Sequence, residues 1–336
     1  MRRPAVTLRS IWSCRSRRAA SDCSRLKNNG NFIPGKPKAL ATMKTIGFLG
    51  LGIMGSRMAK NLAAKGFSVV VWNRSRAAAD ALAGPSIRVA ATPKELASQV
   101  DAFCTCVADP SALREVALGA QGLFAGSKQG QLFIDFSTIS VELAKGLAAE
   151  CTARGLEFID APVTGSKGGA EKGTLVIMCG AGAAALSRAQ PIFQAVGEKV
   201  IHCGPVGAGT QVKLAGNVII AAMLQAFSEG LLLTSKAGVD PWKLQEVVQA
   251  SGFRSPYFDF KGNALKARDF ATHFSIDLMH KDLSLFLESA AHERVPTPTA
   301  ASLKETYNLA RAAKKGAMDI GAVVTAFEDL AGHKLS

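Results

Sequence analysis

No pair of cysteines in this sequence has the C-x-x-C spacing. The seven lie at 14, 23, 104, 106, 151, 179 and 203. An odd, scattered set with no histidine at zinc spacing implies reduced thiols and no structural metal. At 336 residues, the chain is far too long for a disulfide-stapled miniprotein and long enough for two domains at roughly 150 residues each. An uninterrupted apolar run of about 18 residues, the length needed to cross a bilayer, is also missing. Even the apolar segment Val218 to Leu233 is broken by Gln225, Ser228 and Glu229, which favours a soluble chain with no membrane partner.

Acids are scarce at the start. Residues 1–42 hold seven Arg and three Lys against Asp22, so +9 of the net +14 sits there and only +5 is spread over the remaining 294 residues. The stretch is rich in Ser and Ala, has no apolar core of a secretory signal, and ends in the loose Pro34-Gly35-Lys36-Pro37. That is the composition of an organelle-targeting leader, mitochondrial by its Arg content, with a chloroplast or dual destination as the alternative. A disordered basic tail is the other reading, and initiation at Met43 would give a cytosolic form. Because the positive charge is concentrated in this segment, nucleic acid is not an expected partner of the body.

What the body does contain is 48% apolar and 20% charged residues and 32 glycines, the make-up of a folded globule with many close backbone approaches. It opens with the β-prone run Lys44 to Leu49, then Gly50-Leu51-Gly52-Ile53-Met54-Gly55, then a helical pattern to Lys65 and a second apolar strand, Ser68 to Trp72. A glycine fingerprint is informative only in this strand, turn and helix setting. There Gly50 serves the tight turn, Gly52 lets a pyrophosphate approach, and Gly55 lets the helix pack on its strand, with the phosphates at a helix N-terminus. After the second strand stand Asn73-Arg74-Ser75-Arg76. With no carboxylate to take a ribose 2′-hydroxyl and a guanidinium able to bind a 2′-phosphate, the expected cofactor is NADP(H); Arg74 as a solvated loop residue is the alternative.

Strands are expected at Ser86–Ala90, Ala102–Val107, Leu132–Phe136 and Glu157–Ala161, and a helix at Thr92-Pro93 with Glu95 completing a capping box. Loops at the carboxyl ends of such strands face the cofactor, so Val107, Ala108 and the Ser137-Thr138 pair are candidate walls of its site, although Thr138 could equally cap a helix. The run Pro162 to Gly169 reads as a loop whose Thr164 hydroxyl and neighbouring amides, including those of Gly165 and Ser166, suit an anion; a plain hairpin loop is the other reading. Further strands are expected at Thr174–Cys179 and Lys199–His202. From Thr210 onward the spacing is helical. The expected architecture is therefore α/β, an N-terminal Rossmann-type doubly wound sheet over 43–207 followed by an all-helical domain over 208–336.

In the first of these helices, Lys213 and Asn217 stand four apart on one face. An amine near a helix N-terminus and partly buried is pushed towards neutrality, so Lys213 is a candidate general acid with Asn217 to orient it, unless it is a snorkelling surface lysine. Farther on, Lys281 and Asp282 are expected at a helix start, as a functional or structural ion pair. The five histidines show no catalytic or metal spacing.

Four segments, Gly47 to Gly55, Asp160 to Lys167, Lys213 to Asn217, and Lys281-Asp282, together resemble the β-hydroxyacid dehydrogenases, most closely the plant-type glyoxylate and succinic semialdehyde reductases. The resemblance runs from about Lys44 to the C-terminus. It implies Lys213 as the catalytic lysine, Thr138 and Thr164 as substrate-binding hydroxyls, Phe274 as a pocket aromatic, Asp282 as a late acidic site residue and Lys281 as a cofactor contact. It also implies a homodimer or homotetramer and a small aldehyde acid as substrate. Thr164 departs from the serine usual at that position, and its methyl group narrows the pocket. An NAD-dependent 3-hydroxyisobutyrate dehydrogenase and a non-catalytic binding module on a dehydrogenase shell are the competing readings.

Overall fold

The computed structural model describes residues 43–335. The expected leader, with Cys14 and Cys23, lies outside the described residues. Nine strands among these residues make one sheet: β1 (Thr45–Leu49), β2 (Ser68–Trp72), β3 (Ile87–Val89), β4 (Ala102–Thr105), β5 (Leu132–Asp135), β6 (Glu157–Asp160), β7 (Val163–Thr164), β8 (Leu175–Gly180) and β9 (Gly197–Gly204). The order β3-β2-β1-β4-β5-β6 is parallel throughout, while β8 runs antiparallel to β6 and β7 and parallel to β9. This is the expected doubly wound arrangement.

The strands are short apolar runs because both faces are covered. Alternate residues feed two separate cores. Phe48, Val71, Cys104 and Ile134 pack on one side; Val70, Phe103, Phe133 and Phe158 pack on the other. The connecting helices are α1 (Gly55–Ala64), α2 (Arg76–Asp80), α3 (Pro93–Ser98), α4 (Pro110–Leu118), α5 (Val141–Ala153), α6 (Ser166–Lys172) and α7 (Ala183–Val196). Side chains start several of them: Thr92 accepts the Glu95 N–H at 3.0 Å and Asp109 the Ala112 N–H at 2.9 Å. Glu95 reaches back to the Ala91 N–H at 2.7 Å, one residue earlier than a standard capping box.

Beyond β9 the regular elements among the described residues are helices: α8 (Ala208–Lys236), α9 (Trp242–Ala250), α10 (Pro256–Lys266), α11 (Ile276–His292), α12 (Pro298–Ala312) and α13 (Val323–Ala331). Leu224, Leu231, Met279, Leu303, Tyr307 and Val323 form their common core. Helix α8 runs through it. By length and hydropathy, 29 residues with a window averaging 1.6, α8 is long and apolar enough to cross a membrane, which the uninterrupted-run criterion did not reveal because isolated polar residues barely lower a windowed mean. Among its polar residues Asn217 is buried and donates to Asp282, while Ser228 is buried with its hydroxyl unpartnered among the described residues.

Three local expectations change. The run Pro162 to Gly169 is the short strand β7 followed directly by α6, because Gly165 (φ 134) and Ser166 (φ 58) turn the chain and Asn61 of α1 donates to the Ala170 carbonyl at 2.8 Å. That tertiary anchor outweighs the poor helix propensity of Gly168-Gly169. Lys281 and Asp282 are in the second turn of α11, not at its start; Ser275 is the cap, accepting the Leu278 N–H at 3.2 Å, and Asp277 is the first-turn acid. Thr138 caps nothing, since Ser140 caps α5.

Candidate active site

The glycine turn between β1 and α1 is held from three sides. Gly50 has φ 89, and a Cβ there would lie 2.3 Å from the Cys106 carbonyl oxygen; one on Gly55 would lie 1.9 Å from the Gly50 oxygen. Gly50 N–H donates to the Trp72 carbonyl at 3.1 Å, and Leu51 N–H to Asn73 Oδ1 at 2.9 Å. Asn73 was expected against the cofactor. Its side chain accepts from the Leu51 N–H and donates to the Ser75 carbonyl, so it shapes the turn beside the open glycine end.

Gly52 behaves differently from its neighbours. Nothing lies within 4 Å of where its Cβ would be, and the N–H groups of Gly52, Ile53 and Met54 meet no acceptor among the described residues. Open space in front of unpaired donors at the start of α1 fits a pyrophosphate, so the residues present suit a dinucleotide. Arg74 is exposed at the end of β2 with no ion pair among the described residues, whereas Arg76 is taken by Asp80 at 2.8 Å. Ser75, also exposed, precedes α2 without capping it.

The neighbouring strand ends form a connected ledge. Val107 N–H donates to Ser137 Oγ (2.9 Å); Ser137 N–H and Thr105 Oγ1 both donate to Asp135 Oδ1 (3.1 and 2.7 Å). Asp135 is fully buried and its other oxygen has no hydrogen-bond partner among the described residues. Burial pushes its carboxyl up to about 6, against the hydrogen bonds that hold the charged form. Burial likewise pushes the Cys106 thiol up to about 12, which makes it a poor nucleophile. Ala108 is exposed beside this ledge.

From the ledge a polar chain crosses into the helical part. The Thr138 carbonyl accepts from Lys281 Nζ at 2.5 Å, Lys281 is ion-paired with Asp282 Oδ1 at 2.8 Å, and Asp282 Oδ2 accepts from Asn217 Nδ2 at 2.6 Å. Asn217 and Asp282 are both buried. One turn from Asn217 on the same face of α8, Lys213 is half-buried, and its amine makes no hydrogen bond or ion pair among the described residues. Burial lowers its pKa below the usual lysine value, Asp282 works against that shift and Lys281 adds to it. The helix dipole is not the cause. Lys213 is in the second turn of α8, and that field fades within the first.

The other predicted residues are less closely tied. Thr164, Gly165 and Ser166 are exposed at the joint of β7 and α6, and no hydrogen bond or ion pair links them to the Lys213 chain. Ser166 is held at positive φ, an unusual conformation for a side-chain-bearing residue and one that accumulates at functional turns. Phe274 packs on the helical core, and its N–H donates to Asp319 Oδ2 at 3.2 Å.

Asp319 was not singled out from the sequence, nor was its buried partner Lys261 at 2.5 Å; nothing local marks that pair. Asp135 and Asp160 also escaped notice as a pair. A signal existed: β5 and β6 both end in Phe-Ile-Asp, and the two segments are in register.

A family model for the NAD-binding domain of 6-phosphogluconate dehydrogenase matches residues 45–204, and one for the NAD-binding region of NADP-dependent 3-hydroxyisobutyrate dehydrogenase matches 207–327. The chain belongs to the β-hydroxyacid dehydrogenase family. It is 34% identical over 284 residues to the chloroplastic glyoxylate/succinic semialdehyde reductase 2 of Arabidopsis thaliana, covering 84% of this chain and 79% of that protein. It is also 34% identical to the 2-hydroxy-3-oxopropionate reductase of Escherichia coli over 87% of this chain and 99% of that one. Among solved structures, the 3-hydroxyisobutyrate dehydrogenase of Mycobacterium tuberculosis superposes with a TM-score of 0.78 at 30% identity, over 85% and 99% of the two chains. This β-hydroxyacid dehydrogenase is accordingly an oxidoreductase with a nicotinamide-cofactor domain.

Proposed function

We propose that the protein is an NADPH-dependent reductase of small aldehyde acids, converting glyoxylate to glycolate and succinic semialdehyde to 4-hydroxybutyrate. The observation that carries the reading is Lys213, a half-buried, unpaired amine one turn from the buried Asn217–Asp282 hydrogen bond. A bound reduced nicotinamide supplies the hydride. Lys213 Nζ gives its proton to the carbonyl oxygen as that oxygen gains charge, and burial makes the proton easier to release. Asn217 and Lys281 hold Asp282, whose carboxylate keeps enough positive charge on Lys213 for it to act as an acid. Thr138 and Thr164 offer hydroxyls to the substrate carboxylate, with Gly165 and Ser166 amides beside the latter, and Phe274 closes the pocket. Arg74 takes the 2′-phosphate, the reason for preferring NADP(H).

Steady-state rates with NADPH and NADH across C2 to C4 aldehyde acids test this reading. Arg74→Ala should raise KM for NADPH by about 10- to 100-fold, the worth of a charge-assisted contact, and leave NADH unaffected. A chain equally fast with NADH, or inert towards every aldehyde acid, would refute it. The superposition on a 3-hydroxyisobutyrate dehydrogenase favours oxidation of 3-hydroxyisobutyrate as the second reading, and the same assay run in reverse with that acid decides between them. We further propose a homo-oligomer that covers the exposed Ile219 and Leu233 of α8, to be tested by sedimentation, and import of the chain into mitochondria, with the chloroplast as the alternative, to be tested by imaging a fusion to residues 1–42.

A further inference from the structure

Helix α8 begins against the end of β6. Asp160, the last residue of β6, is fully buried, and its two carboxylate oxygens accept separate backbone N–H groups, Gly207 to Oδ1 and Thr210 to Oδ2, each at 2.7 Å. Gly207 is the residue before α8 and has φ 94, and its side supplies no cap. The capping of this 29-residue helix is thus done by a carboxylate 47 residues earlier in the chain, on a different element. The joint has no slack. A Cβ on Gly209 would lie 2.3 Å from the Met178 carbonyl oxygen and 2.9 Å from that of Asp160, and a Cβ on Gly180 would lie 2.2 Å from Asp160 Oδ1. Lys213 stands three residues beyond the clamped Thr210, less than one helical turn away.

From this we infer that Asp160 is a positioning residue for the reaction: by gripping both ends of the first turn of α8 it fixes where along the sheet's carboxyl edge the Lys213 amine reaches. Two arms then locate that amine, Asp160 from the sheet and the Asn217–Asp282 bond from α11. The first sets the helix along its axis and the second sets its rotation. Asp135, in register with Asp160 on the next strand, and the thiols of Cys179 and Cys203 are the ionisable groups around the carboxylate. None of them bonds to it, so the grip depends on the two amides. An asparagine can accept only one of these N–H groups, because its amide nitrogen faces the other.

The inference rests on Lys213 being the proton donor, and the experiment separates the two. Single-turnover reduction of glyoxylate at saturating NADPH is measured per coenzyme-binding site, counted by nucleotide fluorescence, for Asp160→Asn, Gly209→Ala and Lys213→Met. Gly209→Ala displaces the helix start while leaving the carboxylate in place, so it serves if Asp160→Asn does not fold. The expected result is a loss of about 10- to 100-fold in the turnover rate for both joint variants, the penalty of an ångström-scale misplacement, with NADPH affinity unchanged. A purely structural role would appear as fewer competent sites and a lower melting temperature at an undiminished rate per site, and would overturn the inference. If Lys213→Met also keeps the wild-type rate, the proton-donor reading itself fails; if Lys213→Met is inactive while the joint variants turn over normally, only the positioning role is lost.

Discussion

Replacing Lys213 with methionine keeps an apolar stem of the same four-atom length and removes the amine. In the structure that amine is half-buried and lacks a hydrogen-bond acceptor among the described residues, and both oxygens of its attracting carboxylate, Asp282, are engaged by Asn217 and Lys281. Burial therefore outweighs attraction, and the pKa falls below 10.5. Loss of a general acid costs about 10²- to 10⁴-fold in kcat, which is about 2.7 to 5.4 kcal/mol of barrier. Reduction needs the protonated amine, so wild-type kcat should decline as pH rises through the lowered pKa, and this limb should vanish in Lys213→Met. Stability moves the opposite way. Between the lowered folded pKa and the ordinary unfolded one the unfolded chain binds more protons, so stability from this group rises with pH across that window. Below the lowered folded pKa the folded protein carries the penalty in full, about 1.4 kcal/mol per unit of depression. Lys213→Met should therefore melt no lower than wild type, and possession of a full NADPH titration with a collapsed kcat is the expected signature. A folded variant keeping kcat within about threefold, or retaining the alkaline decline, would refute the assignment of the proton to this amine.

Three other outcomes follow from the geometry. Gly52→Ala meets open space and should leave the melting temperature nearly unchanged while weakening coenzyme binding, whereas Gly55→Ala drives a methyl into the Gly50 carbonyl and should cost about 1–3 kcal/mol or prevent folding; equal effects of the two on melting would contradict the turn's anatomy. Lys261→Met removes the counter-charge of the buried Asp319 carboxylate, leaving it only the N–H groups of His273, Phe274 and Gly321, and should cost about 3–5 kcal/mol by denaturant titration. Asp135 has its folded pKa raised to about 6, so the folded chain holds the proton longer than the unfolded one: its contribution is favourable at low pH and is lost as pH rises from about 4 to 6, by about 3 kcal/mol in all. Asp135→Asn should flatten that part of the stability profile relative to wild type, and superimposable profiles would count against a strained carboxylate.

Much of this protein is encoded within windows of about 30 residues. The turn Gly50 to Gly55, its flanking strands, the caps at Thr92, Asp109 and Ser275, and the pairing of Lys213 with Asn217 on one helix face all follow from neighbours a few positions apart, where backbone sterics and helix periodicity act directly. Where a local cue was outweighed by a distant contact, reading the sequence misplaced the element: α6 forms despite two glycines because α1 holds it.

The α/β architecture was therefore written in the sequence itself, since strand, turn and helix signals depend on short-range chemistry. The arrangement of the site's groups was decided only by tertiary structure. Lys281 meets Thr138 across 143 positions, Asn217 meets Asp282 across 65, and Asp160 grips α8 across 47 to 50. No local pattern specifies such partners. They are selected because, once the sheet and α8 are packed, a buried amide or carboxylate must be satisfied by whatever polar group the fold has carried to it.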